Sequence, residues 1–413
     1  MLARKDHVFG LYLHIPFCKK KCAYCDFASG PFDHEEELLA AYAQSLGAQM
    51  QELLACPIMD ELQTAYIGGG TPTVLGSYLP LLAQTLSAQT KLIEFSCEAN
   101  PESTTFELLQ SLKEAGVSRM SFGVQSLDAA ELRALGRIHS PQQAIRALQA
   151  AHKLGFRVSA DLMCAIPLQT ASSWEKSLAG CVACGIDHIS VYPLTIEPHT
   201  AFWKRYACED EPAFNSDEVQ AQRMEFARDF LEAHAFTRYE VASYARAGAS
   251  CKHNLCYWEG KNYLGLGTHA SSMLSRACYR ALRLMHPKFP QIDEDIVRVR
   301  FANTDNRSYL VAHPRFADAH FDFEFMTQRQ AMAEDLMLAA RTTTGLSCEL
   351  LGAARDTFGA EAIDRIIDDC MALGLVEERE SYVAPSNKGW LLGNYLFEKF
   401  WDLAGTDPAT ASM

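Results

Sequence analysis

The stretch LYLHIPFCKKKCAYCDFA, residues 11–28, decides how the chain is read. Residues 11–15 form a short apolar and aromatic run, predicted to be a strand that ends at Pro16. Directly behind it stand Cys18, Cys22 and Cys25, in the spacing C-x3-C-x2-C. A structural zinc site takes four ligands, often as two C-x2-C pairs set further apart; here Asp26 and Phe27 follow the third cysteine. Three thiolates on one loop suit three irons of a cubane cluster, leaving the fourth iron open to a ligand that supplies its own atoms. Lys19, Lys20 and Lys21 lie among the cysteines, where positive charge favours thiolates; the plainer alternative is a solvated basic loop.

Outward from this loop, short β-rich runs are predicted as strands at 64–67, 93–97, 119–124, 156–163 and 188–194. Helical periodicity fills 35–55, 102–115, 141–155 and 172–185 between them. Such alternation implies right-handed parallel crossovers, hence an α/β fold: a six-stranded sheet or partial (β/α)6 barrel. Ligands in these folds bind at the C-terminal ends of the strands, where the cysteines stand and where GGGTPT, 68–73, follows the second strand. A long helix is predicted at 216–234, then an irregular stretch, 237–300, rich in Cys, Trp and Tyr. From about 325 the pattern reads helix, helix, helix, small hairpin, helix, a winged-helix-like region. The expected division is a core at 1–235, an irregular extension at 236–320 and a mostly helical C-terminal domain at 321–413.

The 413 residues are 48% apolar, enough for a sizeable core, and carry 37 Lys and Arg against 51 Asp and Glu, so 37 − 51 = −14. That balance argues against nucleic acid as a partner, since phosphate binding runs on basic side chains. The N-terminus lacks a signal-peptide cleavage pattern, and no apolar run reaches the ~18 residues of a spanning helix. No transmembrane segment is expected, and the location expected is cytoplasmic, where the 14 cysteines stay reduced.

The cysteine loop, with Tyr24 before its last cysteine, resembles that of the radical S-adenosylmethionine superfamily. HIPFC, GGGTPT, CEANPES, RMSFGVQSLDAAELRALGRIHS and DLMCAIPLQT together resemble one branch of it, which contains the oxygen-independent coproporphyrinogen III oxidases and the HemW-like heme chaperones. The resemblance is strong over residues 8–275 and weaker beyond. It implies a radical SAM barrel with a [4Fe-4S] cluster on Cys18, Cys22 and Cys25. It also implies S-adenosylmethionine held by Tyr12, Tyr24, Gly69, Gly70, Thr71, Glu98, Gln125, Arg137 and Asp161. In that role Arg137 pairs with the methionyl carboxylate, and the acidic and amide groups take ribose hydroxyls and the amino group. Taken singly, Glu98 also reads as a helix cap, Arg137 as a surface residue and Asp161 as a satisfied buried carboxylate. One departure is the segment Ala165-Ile166-Pro167-Leu168-Gln169, where the family usually has glycines around the proline.

Two features separate the paralogues. The oxidases carry a fourth cysteine two positions after the third and a long N-terminal extension; here Phe27 stands at that position and 17 residues precede Cys18. Further on, H-N-x-x-Y-W appears as His253, Asn254, Tyr257 and Trp258, a motif associated with heme in the HemW-like group. A neutral imidazole is a common axial ligand of heme iron and aromatic rings pack on porphyrin; the same residues also read as a packed loop with an aromatic core. Cys251 and His269 are further ligand candidates, while Cys181 and Cys184 read as structural. The resemblance implies a heme-binding chaperone that passes heme to acceptor proteins, with a reductant such as flavodoxin or ferredoxin as a further partner. The alternative is a radical enzyme acting on a tetrapyrrole, by coproporphyrinogen decarboxylation or heme opening.

Overall fold

The computed structural model describes residues 7, 9–32, 36–206 and 212–405. Its central feature is a run of six parallel strands in sequence order: β1 (Gly10–Ile15), β2 (Thr64–Gly69), β3 (Glu94–Ala99), β4 (Arg119–Gln125), β5 (Arg157–Cys164) and β6 (His188–Pro193). Each pairs with the next, for example Leu13 opposite Ile67 and Ala160 opposite Ile189. Helices Glu36–Leu54, Tyr78–Ser87, Phe106–Glu114, Pro141–Lys153 and Ala171–Ala183 lie in the crossovers. The strands are buried over most of their length, as parallel strands covered by helices must be. Local signals fix the helix starts: Ser140 and Gln143 form a reciprocal capping box with Pro141 in the first turn, and Thr170 and Ser173 form another. The Tyr78–Ser87 helix escapes the periodicity reading because Pro80 interrupts its pattern, yet that proline lies in the first turn, where no intrahelical N–H is lost.

The sheet does not stop at six strands. Beyond β6 it adds Ser243–Ala245 and Thr237–Arg238; beyond β1 it adds Tyr263–Leu266, Ser271–Ser275, Ile296–Asn303 and Phe321–Thr327, giving twelve strands. Here the structure differs from the irregular extension expected at 236–320, and the large sheet runs past residue 320. Ile296–Asn303 alternates as a strand should: Val299 and Phe301 are buried, while Arg298 reaches Glu334 at 2.9 Å and Asp335 at 2.7 Å on the other face. That alternation is the signal a loop reading passes over.

A second apolar core gathers Leu336, Leu351, Ile363, Ile367, Leu396 and Phe400 from the C-terminal helices. Helices Gln328–Ala339, Cys348–Phe358 and Ala360–Ala372 are followed by the hairpin Val376–Glu378 and Tyr382–Pro385, which the short strand Leu346–Ser347 between the first two helices joins in a small antiparallel sheet, and then by the Gly393–Trp401 helix. This is the winged-helix-like order expected. Among the described residues no helix is long and apolar enough to cross a membrane. Every described cysteine is a free thiol, and outside the loop all but Cys348 are buried.

Candidate functional site

The cysteine loop leaves the C-terminal end of β1 and is pinned on several sides. Ala23 N–H donates to the Leu135 carbonyl (2.9 Å), and Phe202 N–H to the Ala23 carbonyl (2.8 Å). His14, buried beneath, bonds through Nε2 to the Ala28 carbonyl (3.1 Å) and through Nδ1 to the Tyr12 hydroxyl (3.0 Å). Two of the three lysines are loop staples: Lys21 donates to the Phe27 and Ser29 carbonyls, and Lys19 to the Glu102 carbonyl. Gly70 lets the chain after β2 pass against the loop, since a Cβ there would stand 2.6 Å from the Phe17 carbonyl oxygen and 2.8 Å from Cys18 Sγ.

Hydrogen-bond donors aim at the sulfurs. Thr71 O–H points to Cys18 Sγ (3.6 Å) and Arg137 Nη1 to Cys22 Sγ (3.5 Å). Asn100 links the two, accepting from Arg137 Nη2 (2.6 Å) and donating to Thr71 Oγ1 (2.8 Å). Donors of this kind favour thiolate over thiol and tune a cluster's potential. Among the described residues no three His, Cys, Asp or Glu are close enough to hold one metal ion. Three thiols lining one cavity fit a cubane, in which each thiolate meets a different iron.

That cavity has a volume of about 350 Å³ and runs from the loop into the barrel. Its wall includes Cys18, Cys22, Cys25, Tyr24, Gly69, Gly70, Glu98, Gln125, Arg137, Asp161 and Asn254, so most of the implied cofactor residues share one space at the strand ends. Thr71 lies behind the wall against Cys18, and Tyr12 stacks on Tyr66 (ring centroids 6.3 Å apart) rather than lining the cavity. Glu98 accepts from Tyr66 O–H (2.8 Å) and Gly69 N–H (3.0 Å), and burial pushes its carboxyl up to about 7. Asp161 accepts from Ser121 O–H (3.3 Å), and burial pushes it up to about 6. A cationic or hydroxyl-rich ligand would favour the ionised form of both. Arg137 uses its N–H groups on Cys22, Asn100 and the Gly123 carbonyl (2.6 Å), so here it braces the loop.

Past β5, Ala165 and Leu168 hold φ of 54° and 70°, the left-handed region that glycine enters without penalty. The turn is closed by Gln169, whose Oε1 accepts from Ala165 N–H (2.9 Å) and whose Nε2 donates to the Met163 carbonyl (3.1 Å). The glycine-free segment therefore keeps a turn that costs backbone strain.

The H-N-x-x-Y-W residues lie at the other end of the sheet, with Asn254 alone of the four reaching the cavity wall. They form the helix Lys252–Trp258, at the N-terminal ends of β1 and β2. His253 is 1% exposed, stacked on Tyr66 at 5.2 Å, with both ring nitrogens engaged: Nδ1 with Thr64 Oγ1 (3.0 Å), Nε2 with Tyr257 OH (2.8 Å). Thr64 turns its own hydroxyl hydrogen toward the Phe9 carbonyl (3.4 Å). The network therefore assigns the proton to Nδ1 and leaves Nε2 as the acceptor beneath Tyr257. Burial pulls the imidazole down to about 3, so the ring is neutral, the form that ligates iron. Glu94 anchors the helix, accepting from His253 N–H (3.0 Å) and from the Cys251 thiol (3.3 Å) while paired with buried Arg119 (3.1 Å). Trp258 is half-buried, and its indole N–H has no partner among the described residues. His269 is exposed beyond the Tyr263–Leu266 strand; Cys181 and Cys184 are buried in their helix.

Three further residues matter that the sequence reading did not select: Asn100, His14 and Tyr66. Asn100 stands in CEANPES and His14 in HIPFC, so motif membership flagged both. Tyr66 carries no local signal; only the fold puts it between Glu98 and His253.

The sequence profile of the Radical SAM superfamily matches residues 12–179. A heme chaperone HemW of Bacillus subtilis is 31% identical over 399 residues, 94% of this chain and 98% of its own length. HemW of Escherichia coli is 32% identical over 94% of this chain and 97% of its own. Among solved structures, coproporphyrinogen III oxidase (HemN) of Escherichia coli superposes with a TM-score of 0.74, covering 96% of this chain and 91% of that one at 19% identity, a likeness of fold. Radical SAM membership implies a [4Fe-4S] cluster and S-adenosylmethionine, and full-length similarity to HemW places the chain more narrowly: it belongs to the HemW family of the radical SAM superfamily.

Proposed function

We propose that this protein is a heme chaperone that holds a [4Fe-4S] cluster and S-adenosylmethionine in the barrel, binds heme, and passes it to acceptor proteins. The observation that carries the reading is the pairing of a cysteine-lined cavity at the strand ends with an H-N-x-x-Y-W helix on the same sheet, in a chain similar to HemW along its whole length. Cys18, Cys22 and Cys25 would hold the cluster, which supplies an iron open to the amino and carboxylate groups of the cofactor. The chain's own part is to aim Thr71 and Arg137 at the sulfurs, to offer Glu98, Gln125 and Asp161 to the cofactor's polar groups, and to screen them from water. Heme would take His253 as axial ligand once Tyr257 uncovers Nε2, with Asn254, Tyr257 and Trp258 around it. A reducing, cytoplasmic setting keeps the thiols available, and a small reductant such as flavodoxin or ferredoxin is the expected electron donor.

A second reading, a radical enzyme on a tetrapyrrole, is favoured by Glu98, Gln125, Arg137 and Asp161 sharing the cavity with the cysteines. Phe27 argues for the chaperone, standing exposed on the cavity rim where the oxidases carry a further cysteine. Anaerobically reconstituted protein given coproporphyrinogen III and a reductant should yield no protoporphyrinogen, while free heme should give a shifted Soret band on mixing. Turnover of coproporphyrinogen would replace the chaperone with the enzyme.

A further inference from the structure

Where the Lys252–Trp258 helix meets the C-terminal helices, two hydrogen-bond donors face no acceptor. Trp258 Nε1 and Arg341 Nε are both buried and unpartnered among the described residues. The Arg341 guanidinium lies over the Trp258 ring at 5.7 Å and over Phe397 at 4.7 Å. Among the described residues its only hydrogen bond runs from Nη2 to the Met337 sulfur at 3.9 Å, a weak acceptor. No carboxylate pairs with it among the described residues, in a chain where acids outnumber bases by 51 to 37. Burial alone pulls its pKa down, with no anion to raise it.

A purely structural role accounts for part of this. Arg341 follows the C-terminus of the Gln328–Ala339 helix, where a cation meets the negative end of the helix dipole, and ring faces attract guanidinium. Neither contact gives Arg341 Nε or Trp258 Nε1 an oxygen or nitrogen acceptor among the described residues, and a buried donor left unpaired is costly. A guanidinium lying over an indole, with an N–H of each unpaired, offers donors of the kind a carboxylate accepts from. Trp258 stands five residues from His253 on the same helix, roughly 7.5 Å along its axis.

We propose that Arg341 and the Trp258 indole N–H form a carboxylate site that takes a propionate of the bound porphyrin. This rests on the heme-binding reading above and adds a residue from the C-terminal region to it. Heme would then bridge the helix and the C-terminal region, its iron on one side and its acid group on the other.

The test compares heme with its dimethyl ester, which keeps ring and iron but lacks free carboxylates, by titration on the Soret band. Wild type should bind heme about tenfold or more tighter than the ester, the size of one charge-assisted hydrogen-bond pair. Arg341→Met should lose that preference, weakening heme about tenfold and leaving the ester unchanged; Arg341→Lys should recover part of it. Trp258→Phe keeps the ring under the guanidinium and should weaken heme severalfold more than it weakens the ester. If Arg341→Met binds heme as wild type does, or weakens heme and ester equally, the propionate site is overturned. The same holds if wild type binds acid and ester alike, which would assign the two donors to a protein carboxylate. If wild type shows no Soret change with either, the heme reading falls and this inference with it.

Discussion

The two ends of the sheet are built on opposite plans. At the C-terminal ends of β1 to β6, side chains surround a cavity and point donors at sulfur atoms. At the N-terminal ends, the H-N-x-x-Y-W helix closes on itself, with His253 buried and both its nitrogens satisfied inside the protein. The first leaves an open cavity of about 350 Å³ among its side chains. The second holds a neutral imidazole whose Nε2 is covered, so on the proposed reading a Tyr257 hydrogen bond opens before iron can reach it. A binding site can thus be tuned in two ways: by leaving space, or by occupying it with a group of the chain's own that yields.

The largest effect expected from this contrast is loss of one site without the other. Cys22→Ala should eliminate iron and sulfide by chemical analysis and the brown absorbance with them. Heme affinity should stay within about twofold, because His253, Tyr257 and Trp258 lie off the cavity that the cysteines line. A heme affinity that falls with the cluster would merge the two ends into one device.

Next comes the closed end itself. His253→Ala removes a buried imidazole and strands Thr64 and Tyr257, so urea unfolding should report a loss of about 2–3 kcal/mol, and heme binding should weaken more than tenfold. Tyr257→Phe keeps the ring and uncovers Nε2; heme should bind severalfold tighter. Unchanged affinity in Tyr257→Phe would remove the covering role from the tyrosine.

The open end has a pH signature. The Glu98 carboxyl titrates at about 7 in the fold against an ordinary 4.5. Between those values the unfolded chain gives up its proton first. The stability the group contributes is therefore complete below about pH 4.5 and is lost as pH rises through about 7. Glu98→Gln should flatten this fall, stabilising the cofactor-free protein by on the order of 1–2 kcal/mol at pH 8 relative to pH 5. A parallel pH profile in the variant would place the penalty elsewhere.

The smallest effect concerns the strained turn past β5. Ala165→Gly relieves a left-handed alanine held by Gln169, and should raise stability by about 1 kcal/mol in denaturant melts. Destabilisation would show that the Ala165 side chain contributes packing that outweighs the strain.

The core strands were legible because each combines an apolar run with a turn signal, and because the cysteines fall where parallel folds place their ligands. Glu98, Gln125 and Asp161 came from the motif resemblance, and that rule agreed with where they stand. The outer strands were not, since Ile296–Asn303 puts arginines on one face and looks charged until its period of two is counted. The closed state of His253 was also beyond the sequence: the partners Thr64 and Tyr66 lie about 190 residues away and meet it only through the register of β2 against the helix. Arg341 carried no motif at all; its missing partner is visible only once the neighbouring helices are packed.

The central claim is that heme binds and leaves as cargo. Reconstituted protein loaded with heme under anaerobic conditions, then mixed with a heme-free acceptor while the Soret band is followed, tests it most directly. The account predicts that the donor spectrum decays as the acceptor spectrum grows with total heme conserved, and that His253→Ala carries little heme to pass on. Heme that stays bound, or is chemically altered on addition of S-adenosylmethionine and reductant, would contradict it.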